Sequence, residues 1–251
     1  MEAGEDVMIR EHLAGSRLGG EAGFGWRGGE ITRLEGFSDA VFAFAITLLV
    51  VSLEVPRSFQ ALMETLRGFG AFGICFALLA DLWFNHYRFF RRYGLQDTWS
   101  VFLNCLLLFF VLFYVYPLKF LFVTVFNGGG GMDAPQARSL FVIYGTGFAA
   151  VFLVFALLYL HAWRMREELA LNQLERMKTR HSLFDHVAMV IVGLVSMALA
   201  LGLPLRWVGL AGYFYFVISV YFMVAGKIFG KQERRLIERM SAAPMATRRP
   251  R

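Results

Sequence analysis

The sequence predicts an all-α, polytopic membrane protein with six transmembrane helices, and three observations lead to this class. Hydrophobic residues make up 57% of the 251 residues and charged residues only 18%, whereas about a quarter of the residues in soluble domains are charged. The mean hydropathy is +0.54. The apolar residues are also collected into long blocks, each close to the roughly 20 residues that a helix needs to cross a bilayer.

Six apolar blocks are separated by polar or turn-forming segments. Pro56 follows the first block, four consecutive glycines at 128–131 separate the third from the fourth, and Pro204 ends the fifth. The blocks cover residues 37–55, 62–90, 101–126, 140–163, 183–203 and 207–229. A further polar segment, residues 166–180, has helical spacing, and we expect it to extend the fourth helix into solvent.

Basic residues concentrate in alternate connections, which predicts the orientation. They lie at or beyond the ends of the second, fourth and sixth blocks: Arg88, Arg91, Arg92, Arg164, Arg166, Arg176, Lys178, Arg180, Lys227, Lys231, Arg234, Arg235 and Arg239. The connections on the other side are expected to hold only Arg57, Lys119, Arg138 and Arg206. The positive-inside rule then makes both termini cytoplasmic. The basic excess reflects topology and attraction to anionic lipid, and we expect no nucleic-acid partner.

The chain divides into three parts on this basis. Residues 1–32 are expected to form a polar, glycine-rich N-terminal arm, residues 33–230 the six-helix membrane domain, and residues 231–251 a basic cytoplasmic tail. Cys75 and Cys105 both lie within apolar blocks, where thiols behave as small hydrophobic groups. Their spacing matches no metal site or disulfide framework, so no cofactor and no resident metal are expected.

The first block contains two polar residues near its start, Ser38 and Asp39. Polar groups at membrane depth usually face a partner or water. On a helical wheel Asp39 lies about 140° from Phe44, well away from an apolar stripe. That stripe consists of Phe37, Val41, Phe44, Leu48 and Val51. We therefore expect Ser38 and Asp39 to join neighbouring helices, with these candidate partners: Arg33, Asn85, His86 and Asn104.

The stripe has two interpretations at this point. An apolar stripe on a membrane helix is most often a packing face, and lining a pore is the second possibility. His86 also has two interpretations, because a buried, hydrogen-bonded histidine and a pH sensor both fit a histidine in the second block.

Three motifs resemble those of a known family. Arg33-x-x-x-Phe37-Ser38-Asp39 is similar to the R-x-x-x-F-S-D signature of the endosomal/lysosomal potassium channel family, of transmembrane protein 175 type. The segment WFNHYRFF, residues 83–90, resembles the W-x-N-H-x-R-x-F segment that ends the family's second helix, and Asn104 matches an Asn early in its third. The resemblance extends from Arg33 to about residue 230. With one copy of the signature, the chain resembles the bacterial and archaeal members, which assemble as homotetramers.

The resemblance implies a potassium-permeable cation channel in the cell membrane. In the family, first helices from four subunits line the pore without a T-V-G-Y-G filter, a string that is absent here too. The positions that match the family's apolar constriction are Phe44, Leu48 and Val51, and Thr47 would add a ring of hydroxyls. Phe44 occupies a position at which Ile is more common in the family that the motifs resemble. The remaining motif residues would form a scaffold around the first helix: Arg33, Phe37, Ser38, Asp39, Trp83, Asn85, His86 and Asn104.

Other classes remain as alternatives. A secondary transporter would need broken helices around a polar midplane site, whereas these blocks are largely uninterrupted. A membrane enzyme would need converging catalytic groups or metal ligands, and the closest candidate pair, Asp185 and His186, lacks a third member. We therefore expect a channel and not an enzyme, with monovalent cations, lipid and further copies of the chain as its partners.

Overall fold

The computed structural model describes residues 24–51, 57–126 and 132–242, and every regular element within these ranges is helical. The long helices are α1 Arg33–Val51, α2 Phe59–Tyr93, α3 Thr98–Phe126, α4 Ala134–Arg164, α5 Gln173–Gly202 and α6 Val217–Ala242. Three short helical turns, Leu205–Trp207, Leu210–Tyr213 and Phe214–Phe216, connect α5 to α6. The glycine run at 128–131 and Pro56 lie outside the described ranges.

Five stretches of the described chain are long and apolar enough to cross a membrane: Phe69–Tyr93, Thr98–Phe126, Ala134–Arg164, Gln173–Gly202 and Leu205–Glu238. They correspond to the second to sixth predicted blocks. The sixth candidate is α1, which has 19 residues in the described part and is followed by residues 52–56, outside it. The predicted class, an all-helical membrane protein, is confirmed at this level.

Successive helices run in opposite directions. At one end of the bundle, Tyr93 at the close of α2 bonds to Thr179 near the start of α5, and Asp97 before α3 contacts His161 near the end of α4. At the other end, Arg138 in the first turns of α4 contacts Leu203, which follows α5. We call the first of these the basic end, because it carries the arginine-rich connections of the sequence.

Local sequence signals set two of the helix starts. Asp133 and Gln136 form a capping box at α4, with Pro135 in the first turn. Asn172 and Glu175 form another at α5. The expectation that residues 166–180 extend the fourth helix is therefore wrong: α4 ends at Arg164, and the polar segment from Gln173 onward is the beginning of α5. The N-x-x-E pattern is the signal that identifies this start.

Helices α4 and α5 pack closely against each other, and small residues make the approach possible. A Cβ on Gly145 would lie 3.1 Å from the carbonyl oxygen of Gly193, and one on Gly193 would lie 3.1 Å from Ala149. Small residues serve membrane helices in this way because close backbone approach, and not expulsion of water, holds such helices together.

Residues 24–32 do not extend away from the bundle but pack across its basic end. Phe24 is buried and makes an edge contact with Tyr93. Gly94, with a φ of 61°, brings the α2–α3 connection against this segment, where a Cβ would meet the Arg27 carbonyl. The rest of the predicted arm, residues 1–23, lies outside the described chain. At the C-terminus, α6 continues without a break from the membrane domain to Ala242, into the predicted tail.

Candidate ion pathway

Helix α1 has two distinct faces. Its inward face, packed against α2 and α3, contains Ser38, Phe42, Ala45 and Leu49, all fully or almost fully buried. Its outward face is open along most of the helix, and the Phe44 side chain there is 57% exposed. The helix therefore packs within the subunit through one side and leaves an apolar side that few of the residues described in the structure cover.

Three of the predicted constriction residues, Phe44, Thr47 and Leu48, lie on or beside the outward face. Phe44 and Thr47 are exposed, whereas Leu48 is partly buried and packs against the core. Thr47 lies about 60° from Phe44 and about 100° from Leu48 around the helix, which places it nearer the middle of the open face than the apolar stripe suggested. Val51 ends α1, and its side chain is outside the described part of the structure.

The Thr47 hydroxyl has a defined orientation. Its Oγ1 donates to the Ala43 carbonyl one turn earlier, over 2.8 Å. Because a hydroxyl carries one hydrogen and two acceptor lone pairs, the proton is engaged by the helix while the oxygen keeps its lone pairs. The exposed side of α1 thus presents a threonine oxygen between apolar side chains, which is a chemically suitable neighbour for a partly dehydrated cation.

On the inward face, three polar side chains form a continuous buried chain. Asn104 of α3 donates through Nδ2 to Ser38 Oγ over 2.9 Å, and Ser38 donates to the Leu34 carbonyl of its own helix over 2.8 Å. The Asn104 Oδ1 lies 2.8 Å from His86 Nε2 of α2. With the amide in this orientation, His86 carries its proton on Nε2 and donates it to Asn104. The three helices are thereby joined at one level, in a site where unpaired polar groups would be strongly unfavourable.

Asp39 takes a different partner. Its Oδ1 accepts from Trp83 Nε1 over 2.7 Å, on the exposed side of the α1–α2 contact. Trp83 is in turn stacked on Tyr87. Ser38 and Asp39 are adjacent and about 100° apart on the helix, so they reach separate groups, one buried and one near the subunit surface.

Three predicted scaffold residues stand apart from these contacts. Asn85 bonds within α2 to Asp81, over 2.8 Å to its carbonyl and 3.1 Å to its carboxylate. Phe37 is 57% exposed. Arg33 is exposed and has no hydrogen-bond or ion-pair partner among the residues that the structure describes. These side chains point away from the core of the single subunit.

Sequence reasoning missed how the start of α1 is anchored. Thr32 and Glu35 form a reciprocal pair, in which the Glu35 amide donates to Thr32 Oγ1 over 3.1 Å and the Thr32 amide to Glu35 Oε2 over 2.9 Å. The T-x-x-E pattern signals such a helix start. Arg91 of α2 adds a longer ion pair, 3.9 Å from Nε to Glu35 Oε1, and its guanidinium donates to the Gly29 carbonyl over 2.7 Å.

The segment before α1 is attached to the far side of the bundle by an ion pair. Arg27 reaches Glu175 at the start of α5, with Nη2 and Oε2 at 2.8 Å. The Glu175 side chain is only 3% exposed and also accepts from the Gly25 amide over 2.9 Å. No local pattern reveals this pair, because the two residues are separated by 148 positions in the chain.

Comparison with known proteins identifies the family. The model of the endosomal/lysosomal potassium channel TMEM175 matches residues 33–126, which are α1 to α3 and their connections. A potassium channel of Marivirga tractuosa is 41% identical over 232 residues, covering 86% of this chain and 94% of the relative. This chain belongs to the TMEM175 family. The resemblance predicted from the motifs is therefore confirmed.

Two further TMEM175-type relatives are informative. A potassium channel of Chamaesiphon minutus is 34% identical over 141 residues, 53% of this chain and 66% of the relative. The crystal structure of a variant of the potassium channel MtTMEM175, in complex with a nanobody–MBP fusion protein, shares the fold with a TM-score of 0.75 and 39% identity. It covers 85% of this chain and all of that one. The TMEM175 family is one of channels and not of enzymes.

Proposed function

We propose that this protein is a potassium-permeable channel of the cell membrane, formed by four copies of the chain with α1 of each around a central axis. Its TMEM175 relatives are named potassium channels. The basic end would face the cytoplasm by the positive-inside rule, so both termini would be cytoplasmic. Lipid would cover the remaining exposed apolar surface of the helices.

The observation that carries this proposal is the division of α1 into two faces. All the strongly buried positions lie on one side, and the other side offers Phe44 at 57% exposure with Thr47 beside it. An apolar open face suits lipid or another copy of the chain equally, and the resemblance of Phe44, Leu48 and Val51 to the family's constriction positions favours the second. Four such faces around an axis would enclose a narrow, mostly apolar path.

A ring of apolar side chains controls ion permeation by determining whether the pore holds water. Where Phe44, Leu48 and Val51 narrow the path, water is expelled and an ion loses hydration, so the pore is closed. A small rotation or widening of α1 readmits water and permits conduction. Potassium gives up hydration more readily than sodium, and the Thr47 oxygens would replace part of the lost shell. The bulk of Phe44 favours a tight closed state, and its ring face can also attract a cation.

The buried chain of Ser38, Asn104 and His86 would keep α1 in register against α2 and α3 while the open face contacts the other copies. His86 is enclosed by this chain and by the rings of Phe42 and Phe90, with centroids at 5.6 and 4.6 Å. This environment favours the structural interpretation of His86 over that of a pH sensor.

Flux of potassium and sodium into liposomes tests the proposal. The Phe44→Ala variant removes bulk from the proposed constriction and is expected to increase flux and reduce the preference for potassium over sodium. Phe109→Ala is the matched control, because Phe109 is a phenylalanine of α3 with 62% exposure that the proposal assigns to lipid or subunit contact. Equal effects of the two variants, or saturable exchange coupled to a second ion, would contradict the proposed pore.

A further inference from the structure

Helix α6 changes character along its exposed side. In its first turns the exposed side chains are apolar, among them Phe222, Met223 and Val224. From residue 227 onward most of the exposed side chains are charged. A helix that passes from apolar to basic side chains in this way is leaving the hydrocarbon layer for the headgroup region of a membrane.

Four exposed basic residues of this second part share one side of the helix. At about 100° and 1.5 Å per residue, they lie within roughly 100° around α6 and within about 12 Å along its axis. We call this side the basic face of α6, and it consists of Lys227, Lys231, Arg234 and Arg235. One exposed acid, Glu238, lies on the same side, so four bases and one acid give a formal charge of +3. Like charges three and four residues apart repel each other.

The opposite side of the same segment is attached to α5. The ring of Phe229 lies against that of His181, with centroids 3.5 Å apart. Glu233 forms an ion pair with Lys178 over 2.9 Å. Phe229 and Glu233 are about 120–160° away from Lys227 around the helix. These contacts fix the rotation of α6, so the basic face is directed away from the subunit before any partner binds.

Other basic residues at this end already have acidic partners within the chain. Arg27 pairs with Glu175, and Arg176 pairs with Glu167. The charge of the basic face of α6 is instead presented outward, next to the exposed apolar residues of the same helix. Its partner should therefore combine an anionic group with an apolar body.

An anionic phospholipid has this combination. The guanidinium groups of Arg234 and Arg235 suit the two-point recognition of a phosphate, and the lysines add point charges. Clusters of four or more such residues just beyond a membrane helix are typical of surfaces that bind anionic lipid headgroups. The acyl chains would lie along the exposed side chains of Phe222 and Met223.

We propose that the basic face of α6 is a docking surface for an anionic glycerophospholipid, whose phosphate it binds. The bound lipid offsets the repulsion among the four basic side chains and holds this part of α6 at the membrane surface. This partner goes beyond the proposed channel function, and its binding does not depend on which helix lines the pore.

Binding of a phosphatidylglycerol with a fluorescent acyl chain, followed by anisotropy of the protein in detergent solution, tests the proposal. Wild type should bind it more tightly than a phosphatidylcholine with the same label. The combined variant Lys231→Gln and Arg235→Gln should bind phosphatidylglycerol about tenfold more weakly, because each basic residue near anionic lipid contributes a factor of about five. Exchanging the two residues, Lys231→Arg with Arg235→Lys, keeps both charges and should retain binding.

The matched control removes two other exposed arginines of the basic end, by Arg164→Gln together with Arg180→Gln. It should leave the affinity close to that of wild type. Equal losses in the two pairs would show unspecific attraction to the whole end and overturn the proposal. So would equal affinity of wild type for the two lipids, or displacement of the lipid by an equal concentration of inorganic phosphate.

A second pair of substitutions keeps the test decisive. If the Lys231→Gln and Arg235→Gln protein does not fold, Lys227→Gln with Arg234→Gln replaces it. Weaker binding in that variant supports the docking surface, and unchanged binding overturns it. Because the assay records no ion flux, its failure is distinguishable from a failure of the proposed pore, which the flux of Phe44→Ala reports.

Discussion

Asn104 donates a hydrogen bond to the hydroxyl of Ser38 over 2.9 Å, and both side chains are completely buried between α1 and α3. The same amide accepts from His86, so a single residue links the first three helices. These are the helices that the TMEM175 model matches. The buried chain thus lies behind the helix face that we assign to the pore.

Asn104→Leu should lower the free energy of unfolding by about 1–2 kcal/mol, because interhelical hydrogen bonds within membranes contribute about this much and Ser38 and His86 would lose a partner together. Asn85→Leu is the control. Asn85 bonds only within its own helix among the described contacts, and its replacement should stay within about 0.5 kcal/mol of wild type. Unfolding in detergent, followed by circular dichroism, measures both. Equal losses would show that the Asn104 chain has no special role.

Asp39→Ala should reduce assembly more than it changes selectivity. The substitution removes the acceptor for Trp83 Nε1 on the exposed side of the α1–α2 contact, where the neighbouring copy is expected to pack. Asp39→Asn keeps an acceptor oxygen and should assemble like wild type. Light scattering after size-exclusion chromatography measures the oligomer, and the reversal potential measures selectivity. A stable Asp39→Ala assembly with an altered permeability ratio would contradict this prediction.

Glu175→Gln should destabilise the protein by about 2 kcal/mol, because the substitution removes the charge from a buried acceptor of several hydrogen bonds and from its ion pair with the partly exposed Arg27. Glu175 is 3% exposed and pairs with Arg27. Glu167→Gln makes the same chemical change at a carboxylate that is 67% exposed and pairs with Arg176 at 2.7 Å. The control should cost at most about 1 kcal/mol. Thermal unfolding compares them, and similar losses would mean that the segment before α1 is not held by this pair.

Asp97 should make stability depend on pH in the acid range. Burial opposes its ionisation, but hydrogen bonds from Ser100 and His161 outweigh this and hold the pKa of the Asp97 carboxyl below its usual value. A carboxyl with a lowered pKa stabilises the folded state above its ordinary pKa of about 4, and this contribution is lost as the pH falls through the folded value.

Unfolding of wild type and Asp97→Asn between neutral pH and about pH 3 checks this dependence. The wild type should be the more stable at neutral pH, and the difference should shrink as the acid is added. A difference that stays constant, or grows toward low pH, would show that the ionised Asp97 does not stabilise the fold.

The membrane class, the family and the channel function could be predicted because they rest on local information. Apolar blocks determine the spans, and the signature around Ser38 and Asp39 is contiguous. Of the candidate partners only Asn104 bonds directly to one of these two residues, and Trp83, the partner of Asp39, was not among those candidates. Only coordinates assign Asn104 to Ser38 and Trp83 to Asp39, because the choice depends on how α1 is rotated against its neighbours.

Other features depend on contacts that no local pattern records. The polar, glycine-rich composition of residues 1–32 predicted an N-terminal arm, and in its described part Phe24 and Arg27 anchor it to distant helices. Lys119 was counted with the connections although it lies within the third predicted block, residues 101–126. Its bond to the Leu49 carbonyl explains how a lysine is accommodated further inside. The start of α5 was missed although its capping box can be read directly from the sequence.

The central claim, that the open face of α1 lines a pore, is tested most directly by measuring whether position 47 can be reached from the ion path. Thr47→Cys is prepared with Cys105→Ser, because Cys105 is exposed whereas Cys75 is buried. Phe109→Cys in the same background is the control. Potassium current is recorded before and after addition of silver ions, which bind thiolates. We predict that silver blocks the current of the Thr47→Cys channel and leaves the Phe109→Cys channel unchanged. Undiminished current through a silver-treated Thr47→Cys channel would contradict the account.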